Sequence, residues 1–296
     1  MTPDIRIGTM AGKGPRTAEY IRHILPHGFE SFQINFWREV DADLPRLADE
    51  LAAVLDGGAA TVSSLGIYGN PLGDQPEDEI TRKGWESCID AAASFGCDLV
   101  CGFAGRVRGR PVPESAARFK EVFAPLADRA AAAGVRIAFE NCPMGGTWES
   151  GDWNIAFHPA AWELMFEAVP SPVLGLEWEP CHQMCQLIDP MPQLREWAGR
   201  VYHVHGKDAK IYRDVVDRSG VVGPRPFAFH KHPGLGDSNW TRIIEELRKA
   251  GFRGAIDIEG WHDDVYKDDL ELTGQVMALE YLKTCRGRFV PNPPGF

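Results

Sequence analysis

Eight short apolar runs, rich in β-branched and aromatic residues, alternate along this 296-residue chain with segments of helical periodicity. Such runs predict buried strands, and apolar residues repeated every three or four positions predict amphipathic helices. Eight βα units predict an α/β fold, the (β/α)8 TIM barrel, with a doubly wound open sheet as the alternative. The runs span residues 5–10, 31–37, 61–68, 98–103, 136–141, 173–178, 201–204 and 254–259, and the helical segments span 16–25, 42–56, 77–95, 113–134, 158–168, 190–198, 238–250 and 268–285.

The chain contains no low-complexity linker and no shift in composition, so we predict one domain over residues 1–296. Two segments between a predicted strand and the next helix are longer than ordinary connections. They span residues 142–157 after the fifth strand and 209–236 after the seventh. Barrel enzymes carry their chemistry on the loops that follow the strands, so we expect functional residues in these long βα loops.

Composition argues against several classes of protein. The formal net charge is −11 and no run of Lys or Arg is present, so we expect no nucleic-acid partner. The apolar runs are far shorter than the roughly 18 residues of a membrane span, so we expect no membrane association. The first apolar stretch lacks the basic start and apolar centre of a signal peptide, so we expect a cytoplasmic protein.

The seven cysteines are odd in number and scattered, which is typical of a reduced cytoplasmic protein. Cys97 and Cys101 form one close pair, and Cys181 and Cys185 form another. Neither pair has the Cys-x-x-Cys spacing of common zinc sites. We therefore interpret these cysteines as small buried residues rather than as a thiolate metal site.

Metal-capable side chains end the last four predicted strands. These side chains are Glu140, Glu179, His205 and Glu259. The carboxyl ends of barrel strands meet at one mouth, so residues far apart in sequence can share an ion there. One imidazole with three carboxylates suits one divalent metal ion: Mn²⁺ first, with Mg²⁺ or Co²⁺ as alternatives, although Fe²⁺ and Zn²⁺ also bind such groups.

Glu179, His205 and Glu259 each have another metal-capable residue two positions earlier in the sequence. Side chains two apart in a strand face the same side, so Glu177, His203 and Asp257 also point into the barrel. The more C-terminal member of each pair lies nearer the mouth, which favours Glu179, His205 and Glu259 as ligands. Glu177 is the alternative to Glu179.

Several motifs in this arrangement resemble those of the xylose-isomerase-like TIM-barrel superfamily, the sugar phosphate isomerase/epimerase group. That group includes ketose 3-epimerases, inosose isomerases and dehydratases, and subunits that cleave 3-oxo-glycosides. Relatives commonly carry Asp where this chain has Glu179. The resemblance covers essentially the whole chain and rests on residues 139–141, 179–182, 205–208, 233–237 and 258–259.

The resemblance implies that Glu140, Glu179, His205 and Glu259 bind the metal ion. It also implies that Glu140 and Glu259 act as the catalytic acid/base pair and that His182 contacts the substrate. A cation held by adjacent carbonyl and hydroxyl oxygens acidifies the neighbouring C–H and stabilises an enediolate. We therefore expect a metal-dependent isomerase or epimerase of a keto-sugar or inosose, which abstracts a proton next to the carbonyl.

The alternative is a lyase or dehydratase that uses the same enediolate to expel water or an aglycone from a 3-oxo-sugar. A nuclease is disfavoured because the first four strands end in residues that are not metal ligands, and a non-catalytic binding protein would hold no metal. We expect a small-molecule substrate, and either a homo-oligomer or a complex with a small partner subunit. The residues predicted to bind substrate are His182, Asn70, Trp37, Phe103, Trp148, Lys207, Arg225, His232 and Trp261.

Overall fold

The computed structural model describes residues 4–288 and 290–293, which form ten strands. Eight strands pair in parallel in the order β1-β10-β7-β6-β5-β4-β3-β2 and close into a barrel, and β8 and β9 form a separate antiparallel pair. The closed order confirms the predicted (β/α)8 barrel. The strands are β1 (Arg6–Ala11), β2 (Ser31–Trp37), β3 (Thr61–Tyr68), β4 (Leu99–Gly102), β5 (Arg136–Glu140), β6 (Leu174–Trp178), β7 (Val201–Gly206), β8 (Asp208–Ile211), β9 (Ala228–Lys231) and β10 (Ala255–Ile258).

Helices follow the barrel strands and cover the outside of the barrel. Asp43 and Asn239 accept hydrogen bonds from backbone N–H groups at the starts of α2 and α9, and Gly134 ends α4 with a φ of 69°. These signals explain why the predicted helices agree closely with the structure. The helices are α1 (Thr17–Ile24), α2 (Leu44–Leu55), α3 (Pro76–Ala91), α4 (Ala116–Ala133), α5 (Pro159–Ala168), α6 (Cys181–Cys185), α7 (Pro190–Trp197), α8 (Arg213–Ser219), α9 (Trp240–Lys249) and α10 (Glu271–Arg286).

The long loop predicted after the seventh strand contains structure that the sequence patterns did not predict. The hairpin β8–β9 and the short helix α8 lie between β7 and α9. The buried carboxylate of Asp208 anchors this excursion, because it accepts hydrogen bonds from the backbone N–H of Ser238 at 3.0 Å and from Nε1 of Trp240 at 3.1 Å. The loop after the fifth strand runs between β5 and α5, as predicted.

A cluster of aromatic side chains fills the space between β5 and the helices outside it. Phe139 on β5 is fully buried, and its ring centroid lies 4.8 Å from that of Phe123 and 5.5 Å from that of Phe119 on α4. Trp85 of α3 lies at 6.2 Å from Phe139. Strand residues alternate between the two faces, so packing Phe139 outward directs Glu140 into the barrel.

None of the helices formed by the described residues has the length and apolar composition that a bilayer crossing requires.

We predict that Phe139→Ala lowers the free energy of unfolding by about 3–5 kcal/mol, because it opens a cavity in this aromatic cluster. Urea denaturation followed by circular dichroism measures the change. The control is Ile80→Ala, which truncates an apolar side chain on α3 that is 41% exposed. A loss in Phe139→Ala no larger than that of the control would contradict this role.

Candidate metal centre and substrate cavity

The barrel brings the four predicted metal ligands together at the carboxyl ends of its strands. Glu140 ends β5, Glu179 follows β6, His205 lies in β7 and Glu259 follows β10, and all four are at least 95% buried. Nδ1 of His205 lies 3.3 Å from Oε1 of Glu140 and 3.4 Å from Oε2 of Glu259. The residues that the sequence placed at one mouth are therefore neighbours in space.

Three of these four residues have a buried polar atom without a hydrogen-bond partner among the described residues. These atoms are Oε2 of Glu179, Nδ1 of His205 and Oε2 of Glu259. Buried polar atoms normally find a partner, so three such atoms in one cluster favour a bound ligand there. Carboxylate oxygens with a single imidazole form a mostly oxygen donor set, and the residues present therefore fit a divalent cation such as Mn²⁺ or Mg²⁺.

Glu177 lies one layer deeper, and its carboxylate is fully used by other groups. It accepts hydrogen bonds from Nε2 of Gln33 at 2.6 Å and from the hydroxyl of Tyr68 at 2.8 Å, and its Oε1 lies 3.0 Å from Nε2 of His205. Burial opposes its ionisation, but the nearby imidazoles of His205 and His203 hold the pKa of Glu177 below its usual range. Glu179 keeps an unpartnered oxygen and Glu177 does not, which favours Glu179 as the ligand.

His203 and Asp257 complete this deeper layer. Nε2 of His203 lies 2.8 Å from Oδ2 of Asp257, and Nδ1 lies 2.9 Å from Oε1 of Glu177. The hydroxyls of Ser31 and Ser63 donate to the two oxygens of Asp257. The layer is thus a chain of paired charges that crosses the barrel beneath the metal candidates.

This layer fixes which nitrogen of His205 faces the other ligands. Nε2 of His205 lies 2.8 Å from Oε1 of Gln33 and 3.0 Å from Oε1 of Glu177, and both of these atoms are acceptors. Nε2 of His205 therefore carries a proton. Burial lowers the pKa of His205, but the charge of Glu177 and the hydrogen bonds with Glu140 and Glu259 hold it well above its usual range, so Nδ1 also carries a proton that a bound cation would replace, leaving a lone pair there. A lone pair in that place is what metal coordination requires.

The two carboxylates beside Nδ1 of His205 have opposite proton affinities. Burial raises the pKa of Glu140, and the carboxylates of Glu259 and Glu177 add to that shift. Burial also opposes ionisation of Glu259, but the positive charge of Lys207 outweighs it and holds the pKa of Glu259 well below its usual range. Paired groups whose pKa values move apart are typical of acid/base sites.

Lys207 and His182 border the cluster on the side of the loops. Nζ of Lys207 donates to Oε1 of Glu259 at 2.6 Å and lies 3.4 Å from Nε2 of His182. Nε2 of His182 lies 3.0 Å from Oε1 of Glu179. Burial and the charge of Lys207 hold the pKa of His182 well below its usual range, so His182 is neutral.

A cavity of about 790 Å³ opens above the cluster. Its volume is within the range of small-molecule sites. Glu140 and Glu259 lie in its wall together with five of the predicted substrate-binding residues, which are Trp37, Phe103, His182, Lys207 and Trp261.

Comparison with known proteins places this chain in a family. Residues 21–285 match the family model described as "Xylose isomerase-like TIM barrel". The chain belongs to the xylose isomerase-like TIM barrel family. The resemblance that the sequence motifs suggested is thereby confirmed.

Individual relatives are distant in sequence. An uncharacterized protein of Bacillus subtilis strain 168, YfiH, is 24% identical over 242 residues, which cover 71% of this chain and 74% of that protein. A solved L-ribulose 3-epimerase has a TM-score of 0.69 at 18% identity and covers 95% of this chain and 96% of its own. The apo form of the Escherichia coli 3-keto-D-glucoside 4-epimerase YcjR has a TM-score of 0.69 at 18% identity, covering 95% of this chain and 100% of its own.

Two residues predicted to bind substrate in this xylose isomerase-like barrel organise loops outside the cavity lining. The side chain of Asn70 donates to the carbonyls of Arg106 and Asp152, both at 2.8 Å, and accepts from two backbone N–H groups. Trp148 stacks on the ring of His158, with 5.2 Å between centroids. The sequence predicted that both residues lie on βα loops, but it carries no signal for the direction of their side chains, which turn towards neighbouring loops.

The two predicted basic residues of the β7–α9 loop also lie outside the cavity lining. Arg225 is exposed on the segment between α8 and β9. His232 is fully buried, with Nδ1 3.5 Å from Oδ2 of Asp263, and its ring occupies the space beside Gly260 and Gly274.

Sequence analysis did not select several residues that the structure brings to the site. Gln33 and Tyr68 contact Glu177 from β2 and β3, and Cys185, His230 and His262 line the cavity. Gln33 had a usable signal, because it is a polar residue in the middle of an apolar strand. His230 lies in the same basic loop as Arg225 and His232, but the direction of its side chain depends on the hairpin.

The thiol of Cys185 is perturbed. Hydrogen bonding with Cys181 lowers the pKa of Cys185 to about 5, and a hydrogen bond with His230 contributes, although burial opposes the shift.

We predict that Glu177→Gln weakens Mn²⁺ binding by about 10–100-fold, because His205 loses the carboxylate that orients it. The new amide also brings an NH₂ group among donors. Isothermal titration calorimetry of chelator-treated protein with Mn²⁺ measures the affinity. The control, Glu163→Gln, removes an exposed carboxylate on α5. Unchanged Mn²⁺ affinity in a folded Glu177→Gln variant would contradict this role.

Proposed function

We propose that this protein is a divalent-metal-dependent isomerase or epimerase of a keto-sugar or inosose. The observation that carries the proposal is the placement of two buried carboxylates, Glu140 and Glu259, beside Nδ1 of His205. The distances are 3.3 and 3.4 Å, and both residues face a cavity of about 790 Å³. The names of related structures, L-ribulose 3-epimerase and 3-keto-D-glucoside 4-epimerase, support this class of reaction.

Glu140, Glu179, His205 and Glu259 would hold the metal ion, for which Mn²⁺ is our first choice because three of the four ligands are carboxylates. A bound divalent cation would act as a Lewis acid towards a carbonyl oxygen and would orient two adjacent oxygens of the substrate. The proton transfers and the positioning of the substrate would be carried out by side chains of the protein.

Glu259 is the base in this proposal and Glu140 is the acid. Lys207 keeps Glu259 ionised, so that carboxylate takes the proton from the C–H next to the substrate carbonyl. Its Oε2 lies beside His205 and its Oε1 holds the hydrogen bond from Lys207, so Oε1 accepts the proton once Lys207 turns from it towards the substrate oxygen. Glu140, the second carboxylate beside Nδ1 of His205, would return a proton to carbon from the other face and so invert the centre.

Lys207 and His182 complete the proposed machinery. As Glu259 takes the proton, negative charge moves from its carboxylate to the substrate oxygen, and Lys207 is close enough to Glu259 to follow that charge. Neutral His182, held by Glu179 at 3.0 Å, can donate to or accept from a substrate hydroxyl. Trp37, Phe103 and Trp261 offer apolar surfaces to the ring of a sugar.

The size of the cavity favours a second candidate function. A volume of about 790 Å³ accommodates drug-sized ligands, which are larger than one hexose ring. The same proton abstraction next to a 3-oxo group would then expel an aglycone or water instead of inverting a centre. A partner subunit or a homo-oligomer could close the open side, as predicted from the sequence.

We expect the Mn²⁺-loaded protein in D₂O to introduce deuterium next to the carbonyl of a keto-sugar, inosose or 3-oxo-glucoside. NMR follows both deuterium and products. Glu259→Gln should reduce the exchange rate by about 10²–10⁴-fold, because an amide cannot accept the proton. The matched control, Glu163→Gln, should exchange at the wild-type rate.

The products of the same incubation separate the two candidate functions. An inverted or shifted centre without loss of a group supports the isomerase or epimerase, and a released aglycone or water supports the lyase. Exchange at the wild-type rate in Glu259→Gln would overturn the assignment of the base. No exchange with any substrate of the panel would overturn the reaction class.

A further inference from the structure

Two cysteines and two histidines cluster at the edge of the cavity. Cys181 and His182 lie on α6, and His230 lies on β9. One ligand atom from each of these three residues lies within 4.8 Å of the others. Cys185 ends α6 and lines the cavity together with His182 and His230.

The hairpin creates this cluster. It places the ring of His230 across the ring of His182, with 5.2 Å between centroids and an angle of 83°. The motif that carries Glu179 and His182 also contains Cys181, and Cys185 follows one helical turn later. The cluster therefore combines one local pair of thiols with a histidine from a distant strand.

The donor atoms of this cluster differ from those of the carboxylate centre. Two thiolates with two imidazoles form a common zinc set, and the carboxylate centre prefers Mn²⁺ or Mg²⁺. In a tetrahedral zinc site, Zn–S bonds of about 2.3 Å and Zn–N bonds of about 2.0 Å place neighbouring donors roughly 3.5 Å apart. The ligand atoms of Cys181, His182 and His230 already lie within 4.8 Å of one another, which is close to that spacing.

We propose that Cys181, Cys185, His182 and His230 form a second metal site, which takes Zn²⁺ or a similar thiophilic divalent cation. The metal displaces the thiol protons to solvent, and no electrons are transferred. A metal on His182 also occupies the side chain that faces Glu179 and Lys207. Zn²⁺ at this site therefore inhibits turnover, a consequence that rests on the proposed function, whereas the binding itself does not.

The test uses Co²⁺ as a spectroscopic probe on the full chain. The protein is freed of metal with a chelator and saturated with Mn²⁺, and Co²⁺ is then added in steps. One equivalent should produce a sulfur-to-Co²⁺ charge-transfer band in the near ultraviolet, and Zn²⁺ should abolish it. Cys185→Ser and His230→Asn, which alter half-buried residues, should each lose the band while retaining the wild-type circular dichroism spectrum.

Cys142 provides the matched control, because it is the other cysteine near Glu140 and His182. Cys142→Ser should keep the band. A band lost only in Cys142→Ser, a band that persists in both Cys185→Ser and His230→Asn, or no band in the wild type would each overturn the site.

Deuterium exchange in the presence of Zn²⁺ tests the inhibition separately. Zn²⁺ should abolish exchange by the Mn²⁺-loaded wild type, and Cys185→Ser should resist Zn²⁺ relative to its own uninhibited rate. Equal inhibition of both proteins would overturn the regulatory role. The Co²⁺ titration alone would then decide whether the metal site exists. Absence of exchange without Zn²⁺ would count against the proposed function alone.

Discussion

Three carboxylates buried at one mouth of the barrel are the constraint on which the rest of this structure depends. Glu140, Glu179 and Glu259 are all at least 95% buried, and Lys207 supplies one positive charge. The carboxylates around His205 outweigh burial and hold its pKa well above its usual range, so a proton on that imidazole offsets part of the remaining charge, which a divalent cation would balance in its place. The raised pKa values of Glu140 and Glu179 express the same imbalance, because protonation is the other way to relieve it.

The deeper polar layer makes this arrangement structurally tolerable. Glu177, His203 and Asp257 carry charge into the barrel interior, but their close pairing and the serine, glutamine and tyrosine donors satisfy the two carboxylates. The layer also fixes the direction of His205, so the position of Nδ1 at the mouth results from hydrogen bonds made below it.

The sequence predicted the barrel and the convergence of the ligands because both follow from strand periodicity. The alternation of side chains along β6, β7 and β10 predicted two layers of polar residues inside the barrel, and the structure contains both layers. Side-chain directions in loops carry no such periodicity, which is why Asn70 and Trp148 were expected at the cavity and instead organise loops. The β8–β9 hairpin was missed because its strands are short, and with it the position of His230.

The prediction that the cysteines do not form a thiolate metal site also rested on a local pattern of the sequence, the spacing between cysteines. Cys181 and Cys185 lack the separation of a common zinc motif, but sequence spacing measures only ligands that are local. His230 lies more than forty residues away and becomes a neighbour through the hairpin. His182 then stands between two sets of donors, one rich in oxygen and one rich in sulfur. Because one imidazole cannot serve both at once, the metal that reaches the second set decides whether the first is free to work.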